Sequence, residues 1–118
     1  MRLYFKEGKN TEFWPGVKAG VKTHTCRKKA ANVGGPLTLI CGGERIDVIC
    51  TALQRFGTEL APYGPIALID GAVASPDTLL EFTKRSGFKD ADSMFDYYGE
   101  DFDGYIIHWG NDIYESVH

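Results

Sequence analysis

The sequence has little of what marks secreted, membrane-spanning or metal-binding proteins. It has three cysteines, Cys26, Cys41 and Cys50, an odd number without the paired spacing of a zinc site, so reduced, buried thiols are predicted. No apolar run approaches the roughly 18 residues that a membrane-spanning helix needs, and the first residues lack a secretory apolar segment. We therefore expect a cytoplasmic protein with no membrane partner, no metal and no cofactor.

An excess of positive charge is also missing. The chain has 13 Lys and Arg against 16 Asp and Glu, for a net charge of -3. Proteins that hold duplex DNA by its phosphates are usually basic, so no duplex DNA partner is expected. The charges are segregated, however, with basic residues crowded into the N-terminal third and carboxylates concentrated after Asp90. This leaves room for a local basic patch and, at the other end, for an acidic surface that binds a protein.

What is present fits one small globular domain spanning residues 1–118. With 43% hydrophobic and 13% aromatic residues, the chain can bury a single core. The apolar pattern predicts several short strands along the chain, the last of them over residues 102–109. Gly and Pro predict a loop over residues 54–65. The tail after Gly110 is predicted to lie at the surface. Trp14 precedes a proline, which favours extended backbone, and only a short helix fits between Gly16 and Gly20.

Two further helices are predicted before the last strand. The first begins at Ser75-Pro76-Asp77, where a hydroxyl cap is followed by proline and an acid, and it ends at Ser86-Gly87. The second is capped by Asp90 or Asp92 and ends at Gly99. Helices placed together near the end of a mainly β chain indicate the α+β class.

Residues 20–27, Gly-Val-Lys-Thr-His-Thr-Cys-Arg, carry the strongest functional signal. Strand alternation places Thr23, Thr25 and Arg27 on one face, and Lys22 at the turn can reach the same side. Two hydroxyls, a guanidinium and an ammonium make a compact site for an anionic or carbonyl-bearing ligand. The alternative is an ordinary edge strand, because Thr favours strands and Lys and Arg protect edges.

The pattern Gly-x-Lys-Thr-x-Thr-x-Arg resembles the signature of ASCH domains, small relatives of the PUA fold that are linked to RNA. The C-terminal region, from Gly87-Phe88 to Trp109, is similar to the C-terminal end of small phage and bacterial ASCH proteins. The resemblance covers both ends of the chain better than its middle. It implies a partly closed, PUA-like β-barrel of about five or six strands with two or three short helices, and a ligand that is RNA or a modified nucleoside.

Small ASCH proteins include amidohydrolases that deacetylate N4-acetylcytidine, and the resemblance implies that Lys22 is the base and Thr25 the nucleophile. A threonine hydroxyl attacks an amide only if an adjacent neutral amine takes its proton, which requires burial or Arg27 to lower the pKa of Lys22. The family's assisting glutamate has no counterpart in residues 83–88. Glu81 lies one turn earlier and Asp90 lies beyond the helix.

Two non-catalytic alternatives remain open. In the first, the same surface binds single-stranded RNA, with Thr23 and Thr25 at base edges and Arg27, Lys28 and Lys29 at phosphates. Stacking would come from an aromatic side chain, for which Tyr4, Trp14 and Tyr105 are candidates, although Trp14 is equally typical of a core residue. In the second, the chain is a protein-interaction domain, such as a phage factor that engages a host protein through the acidic C-terminal region.

Three histidines complete the candidates. His24 and His108 both lie in predicted strands and could meet across a sheet as acid–base or metal partners. No third ligand suggests itself, so structural histidines are predicted. His118 is terminal and predicted to be solvated.

Overall fold

The computed structural model describes residues 1–7 and 11–115. In chain order its elements are β1 (Arg2–Tyr4), α1 (Phe13–Ala19), β2 (His24–Arg27), β3 (Pro36–Cys41), β4 (Glu44–Ile49), β5 (Ala52–Ala61), β6 (Gly64–Ile69), β7 (Ala72–Val73), α2 (Pro76–Ser86), α3 (Ala91–Tyr98) and β8 (Asp103–His108). None of the helices in this part of the chain is long and apolar enough to cross a membrane.

The strands form two sheets. The smaller sheet has the order β1-β3-β4, with β1 parallel to β3 and β4 antiparallel to it. The larger sheet has the order β2-β8-β5-β6-β7, and all its neighbouring strands are antiparallel. Fully buried side chains such as Leu39, Phe56, Phe82, Met94 and Ile106 form one core from both sheets and the two later helices.

The predicted α+β class is confirmed, and the three helices agree with the expected two or three. The predicted barrel is not found, because the described residues form eight strands in two separate sheets. The structure has more strands than the predicted five or six partly because most of residues 54–65 lie in β5 and not in a loop. Gly57 does not make a turn there; a Cβ at this position would lie 3.2 Å from the Phe102 carbonyl oxygen, so glycine permits close packing inside the sheet.

The prediction of extended backbone at Trp14 is wrong, because this residue lies in the first turn of α1. The Glu7 carboxylate accepts hydrogen bonds from the backbone N–H groups of Phe13, at 3.1 Å, and Trp14, at 2.8 Å. A carboxylate that caps free N–H groups stabilises a helix start. Pro15 follows within the same turn, where its missing N–H costs nothing. The turn between residues 7 and 10 cannot be compared, since residues 8–10 lie outside the described ranges.

The predicted bounds of α2 and the predicted caps of α3 are confirmed. The Ser75 hydroxyl accepts a hydrogen bond from the Thr78 N–H, and the Asp90 carboxylate accepts one from the Ser93 N–H at 2.8 Å. At the other end of α2, the Gly87 carbonyl accepts a hydrogen bond from the Glu12 N–H at 2.8 Å. The C-terminal end of α2 is thereby joined to the start of α1.

Gly20 and Gly87 each end a helix with left-handed backbone, and replacing Gly87 should cost more stability than replacing Gly20. Gly20 has a φ of 77° with open space around it, whereas Gly87 has a φ of 92° and a Cβ there would lie 3.1 Å from the Glu12 carbonyl oxygen. Gly20→Ala should cost about 1 kcal/mol through backbone strain alone. Gly87→Ala should cost about 1–2 kcal/mol more, measured by urea unfolding, because α1 must also shift. Equal losses for the two variants would show that the contact between the helices is not tight.

Candidate functional site

Lys22 is the buried centre of the motif. Its backbone N–H donates to the Gly16 carbonyl at 2.9 Å, and its side chain is 3% exposed. Its Nζ donates to the Ser86 carbonyl oxygen at 2.9 Å and lies 5.3 Å from the centre of the Phe13 ring. The amine is therefore held between the end of α2 and the first residue of α1.

Burial lowers the pKa of Lys22 from 10.5 to about 7. Arg27 acts in the same direction, and Glu7 opposes it weakly. A Cys26 thiolate would also oppose the shift, but burial raises the pKa of Cys26 to about 12, so this group is an uncharged thiol at neutral pH. A large fraction of Lys22 is consequently a neutral amine with a free lone pair at pH 7.

Lys22, Thr25 and Arg27 line one small cavity, which we call the motif cavity. The remaining wall consists of Tyr4, Phe5, Lys6, Phe13, Cys26, Tyr97 and Tyr98. Its volume is about 40 Å³, enough for a few water molecules but not for a nucleobase. Thr25 is 6% exposed, and its hydroxyl makes no hydrogen bond to another described residue. The motif therefore brings its base and nucleophile candidates to the same enclosed space.

Arg27 is part of the wall of this cavity and has one N–H without a partner in the described part of the chain. Its terminal nitrogen donates to the Tyr4 carbonyl at 2.8 Å, and the guanidinium lies 5.1 Å from the centre of the Phe5 ring. Its Nε is buried and has no hydrogen-bond partner among the residues that the structure describes. A buried N–H without an acceptor is costly, and a carbonyl or oxyanion of a ligand would satisfy it.

The prediction that Thr23 shares a face with Thr25 and Arg27 in one strand is wrong. Strand β2 begins at His24, so the alternation does not extend back to residue 23. The Thr23 side chain packs against Gly110, and its hydroxyl lies 3.4 Å from a terminal nitrogen of Arg85. Thr23 lines neither the motif cavity nor the larger cavity described below.

Three other predicted binding residues also lie away from both cavities. Trp14 is 4% exposed, packs 5.9 Å from the Phe5 ring and donates from Nε1 to the Glu44 carboxylate at 2.6 Å. Its interpretation as a core residue is confirmed, and burial leaves it no free face on which a base could stack. Lys28 and Lys29 are exposed in the loop after β2. Of the other aromatic candidates, Tyr4 lines the motif cavity, whereas the Tyr105 ring lies 5.0 Å from the Arg55 guanidinium.

A second and larger cavity, which we call the α1–α2 cavity, lies where α1 meets the end of α2. Its volume is about 660 Å³, and Lys22 is part of its wall as well. Three more cations from the end of α2 and the loop after it line the same space, namely Lys84, Arg85 and Lys89. The Lys84-Arg85 pair before the helix-ending glycine is a local signal for this feature, but its proximity to Lys22 depends on how α2 packs.

No carboxylate lines the motif cavity among the described residues. Glu81 forms an ion pair with Arg85 at 3.6 Å, and Asp90 caps α3, so both potential substitutes for an assisting glutamate are engaged elsewhere. Glu7, the acid that acts electrostatically on Lys22, caps α1. A reaction at this cavity would therefore have to proceed without a carboxylate from the described residues of its wall.

His24 and His108 do meet, directly opposite each other in the β2–β8 pair with ring centres 5.5 Å apart. His24 Nε2 shares a hydrogen bond with the Tyr114 hydroxyl at 2.7 Å, and His108 Nε2 one with Gln54 Oε1 at 2.9 Å. Burial lowers the pKa of His108 to about 4 and that of His24 well below its ordinary value, so both rings are neutral at pH 7. These contacts support the predicted structural role.

The predicted surface tail is confirmed for residues 111–113 and 115, which are exposed, but not for Tyr114. Tyr114 is 4% exposed and its ring packs against His24 and Phe82, so the chain after β8 closes over the histidine pair. Within the described ranges, no three His, Cys, Asp or Glu side chains are grouped as metal ligands. His118 lies outside those ranges.

No family model, no curated protein and no solved structure matches this chain. The ASCH resemblance therefore rests on the residues of the motif and of the C-terminal region.

The buried amine of Lys22 should make stability depend on pH. The unfolded chain keeps the Lys22 proton up to about pH 10.5, whereas the folded protein releases it near pH 7. Unfolding therefore takes up a proton between these values, and this lysine makes stability rise with pH. Between pH 7 and pH 9 the wild type should gain about 2 kcal/mol relative to Lys22→Met, measured by urea unfolding. Lys29→Met, which removes an exposed lysine, is the control, and its free energy of unfolding should change with pH as that of the wild type does. The same pH dependence of unfolding in all three proteins would show that Lys22 stays charged.

Proposed function

We propose that the chain is an ASCH-type domain that binds a modified cytidine and hydrolyses an acyl group from its amide nitrogen. On this proposal the two sheets are an open variant of the PUA-like barrel. One observation carries the proposal: a lysine whose pKa is lowered to about 7 lines the same small cavity as a buried threonine and an arginine, and the Nε of that arginine has no partner among the described residues. Strand β2 does lie at the edge of the larger sheet, as the alternative expects, but Lys22 and Thr25 are buried, whereas residues that only protect an edge are exposed.

The proposed reaction has two stages. In the first, the neutral Lys22 amine takes the Thr25 hydroxyl proton as the oxygen attacks the acyl carbonyl, and the Arg27 Nε–H donates to the developing oxyanion. The carbon–nitrogen bond then breaks, Lys22 gives its proton to the leaving nitrogen, and the acyl group stays as an ester on Thr25. In the second, Lys22 takes a proton from water as the water attacks this ester, which releases the acid and restores Thr25 and Lys22.

The contact between Lys22 and Ser86 is compatible with this role. A neutral amine has two N–H donors and one lone pair, so one N–H can stay on the Ser86 carbonyl while the lone pair receives the Thr25 proton. The hydrogen bond then orients the base. Without a carboxylate in the cavity, Lys22 must act alone, and general acid–base assistance is commonly worth about 10²–10⁴-fold. Slow turnover is therefore expected.

The size of the motif cavity adds a requirement. At about 40 Å³ it admits an acyl group only if part of its wall moves as the ligand binds. Tyr4 is the wall residue best suited to move, because it is 59% exposed and packs on no other described aromatic ring, so its ring can turn into solvent. We infer that the ligand displaces this ring on entry.

Incubation with N4-acetylcytidine, with deacetylation followed by mass spectrometry, tests the proposal. Lys22→Met and Thr25→Val should each lower kcat/KM at least 100-fold, whereas Lys29→Met should not. Because the neutral amine is the active form, kcat/KM for the wild type should rise with pH and reach half its limit near pH 7.

Two results would contradict the enzymatic role. Turnover that survives Thr25→Val would exclude an ester on that residue. No turnover, together with binding of a short RNA that is weakened by salt and by Arg27→Ala, would show a binding domain in place of an enzyme.

A further inference from the structure

The α1–α2 cavity has an unbalanced charge. Among the described residues of its wall, Lys84, Arg85 and Lys89 are cations, Glu12 is the one acid, and Lys22 is in large part a neutral amine at pH 7. This concentration occurs in a chain whose overall charge is -3. Cations that converge on one concave space repel each other unless an anion lies between them, so the arrangement points to an anionic ligand.

Arg85 is fixed in place, whereas two of the other cations are free to bind. The Arg85 guanidinium lies 4.9 Å from the Tyr114 ring, with one terminal nitrogen 3.3 Å from the Asp112 carbonyl oxygen and the other 3.6 Å from the Glu81 carboxylate. Lys84 and Lys89 are exposed and form no ion pair with any described residue. The cavity therefore has one positioned guanidinium and two unpaired ammonium groups, a set that suits the oxygens of a phosphate.

The volume of the cavity suits a nucleotide. About 660 Å³ lies within the range of roughly 300–1,000 Å³ that is usual for small-molecule sites. Lys22 lines both cavities, so the two spaces adjoin at this side chain.

We propose that the α1–α2 cavity binds the phosphate of a nucleotide, so that the ligand is a phosphorylated cytidine, free or within a strand, and not an uncharged nucleoside. This inference rests on the proposed function, because it names the ligand class of the same site. The phosphate then contacts Lys84, Arg85 and Lys89 in place of Lys28 and Lys29, which the sequence predicts.

Calorimetric titration at low salt with cytidine, cytidine 5′-monophosphate and a cytidine tetranucleotide tests this assignment. The wild type should bind the monophosphate at least about tenfold more tightly than cytidine. The double variant Lys84→Gln/Lys89→Gln should lose that advantage and still bind cytidine. Tighter binding of the tetranucleotide than of the monophosphate would identify a strand as the source of the phosphate, and equal binding a mononucleotide.

The double variant Lys28→Gln/Lys29→Gln is the matched control, because it removes the same charge from two exposed lysines outside the cavity. It should bind all three probes like the wild type. Equal affinity of the wild type for cytidine and its monophosphate, or equal losses in the two double variants, would overturn the inference.

Deacetylation of N4-acetylcytidine separates this inference from the proposed function. Turnover of the nucleoside without a preference for the monophosphate would overturn the phosphate site alone. A preference that depends on Lys84 and Lys89, without turnover of any acetylated probe, would support the phosphate site and overturn the hydrolase. If neither cytidine nor its monophosphate binds, both are overturned.

Discussion

The hydrogen bond from the Lys22 amine to the Ser86 carbonyl is the contact on which the site depends. The last carbonyls of a helix have no donor within the helix, so α2 needs a partner at this point, and Lys22 provides it at 2.9 Å. Gly16 eases the approach, because a Cβ there would lie 3.1 Å from the Lys22 Cβ. The packing of α2 on this side chain buries the amine, and the burial lowers its pKa.

The same burial separates two environments that share Lys22 as a wall. On one side, aromatic rings and Thr25 enclose a space of about 40 Å³, where little water can shield charge. On the other, an open space of about 660 Å³ has the cations of α2 around it. A neutral amine suits the first environment and an anion suits the second. The division follows from the position of Lys22 between α1 and α2.

Local signals in the sequence could predict the helices but not the contacts made over distance. Ser75 and Gly87 bound α2 because capping depends on neighbouring residues. The helical backbone at Trp14 is not predicted, because the cap of α1, Glu7, lies seven residues away. The strand through Gly57 is not predicted either, because glycine is needed there for the close approach of the Phe102 carbonyl and not for a turn. In the site, Lys22, Thr25 and Arg27 do line one cavity, but Thr23 does not, since the exact start of β2 decides its direction.

The helix dipole is an alternative explanation for the cations at the end of α2, but it does not account for all of them. Lysine and arginine stabilise the C-terminal end of any helix through its dipole, which would account for Lys84 and Arg85. Lys22 comes from another part of the chain but donates to the last carbonyl of α2, so the helix terminus accounts for it as well. Lys89 lies beyond the helix and is not explained in this way, yet it lines the same cavity as Lys84 and Arg85. Because convergence of like charges costs free energy, the fold would tolerate it most readily where a bound anion removes that cost.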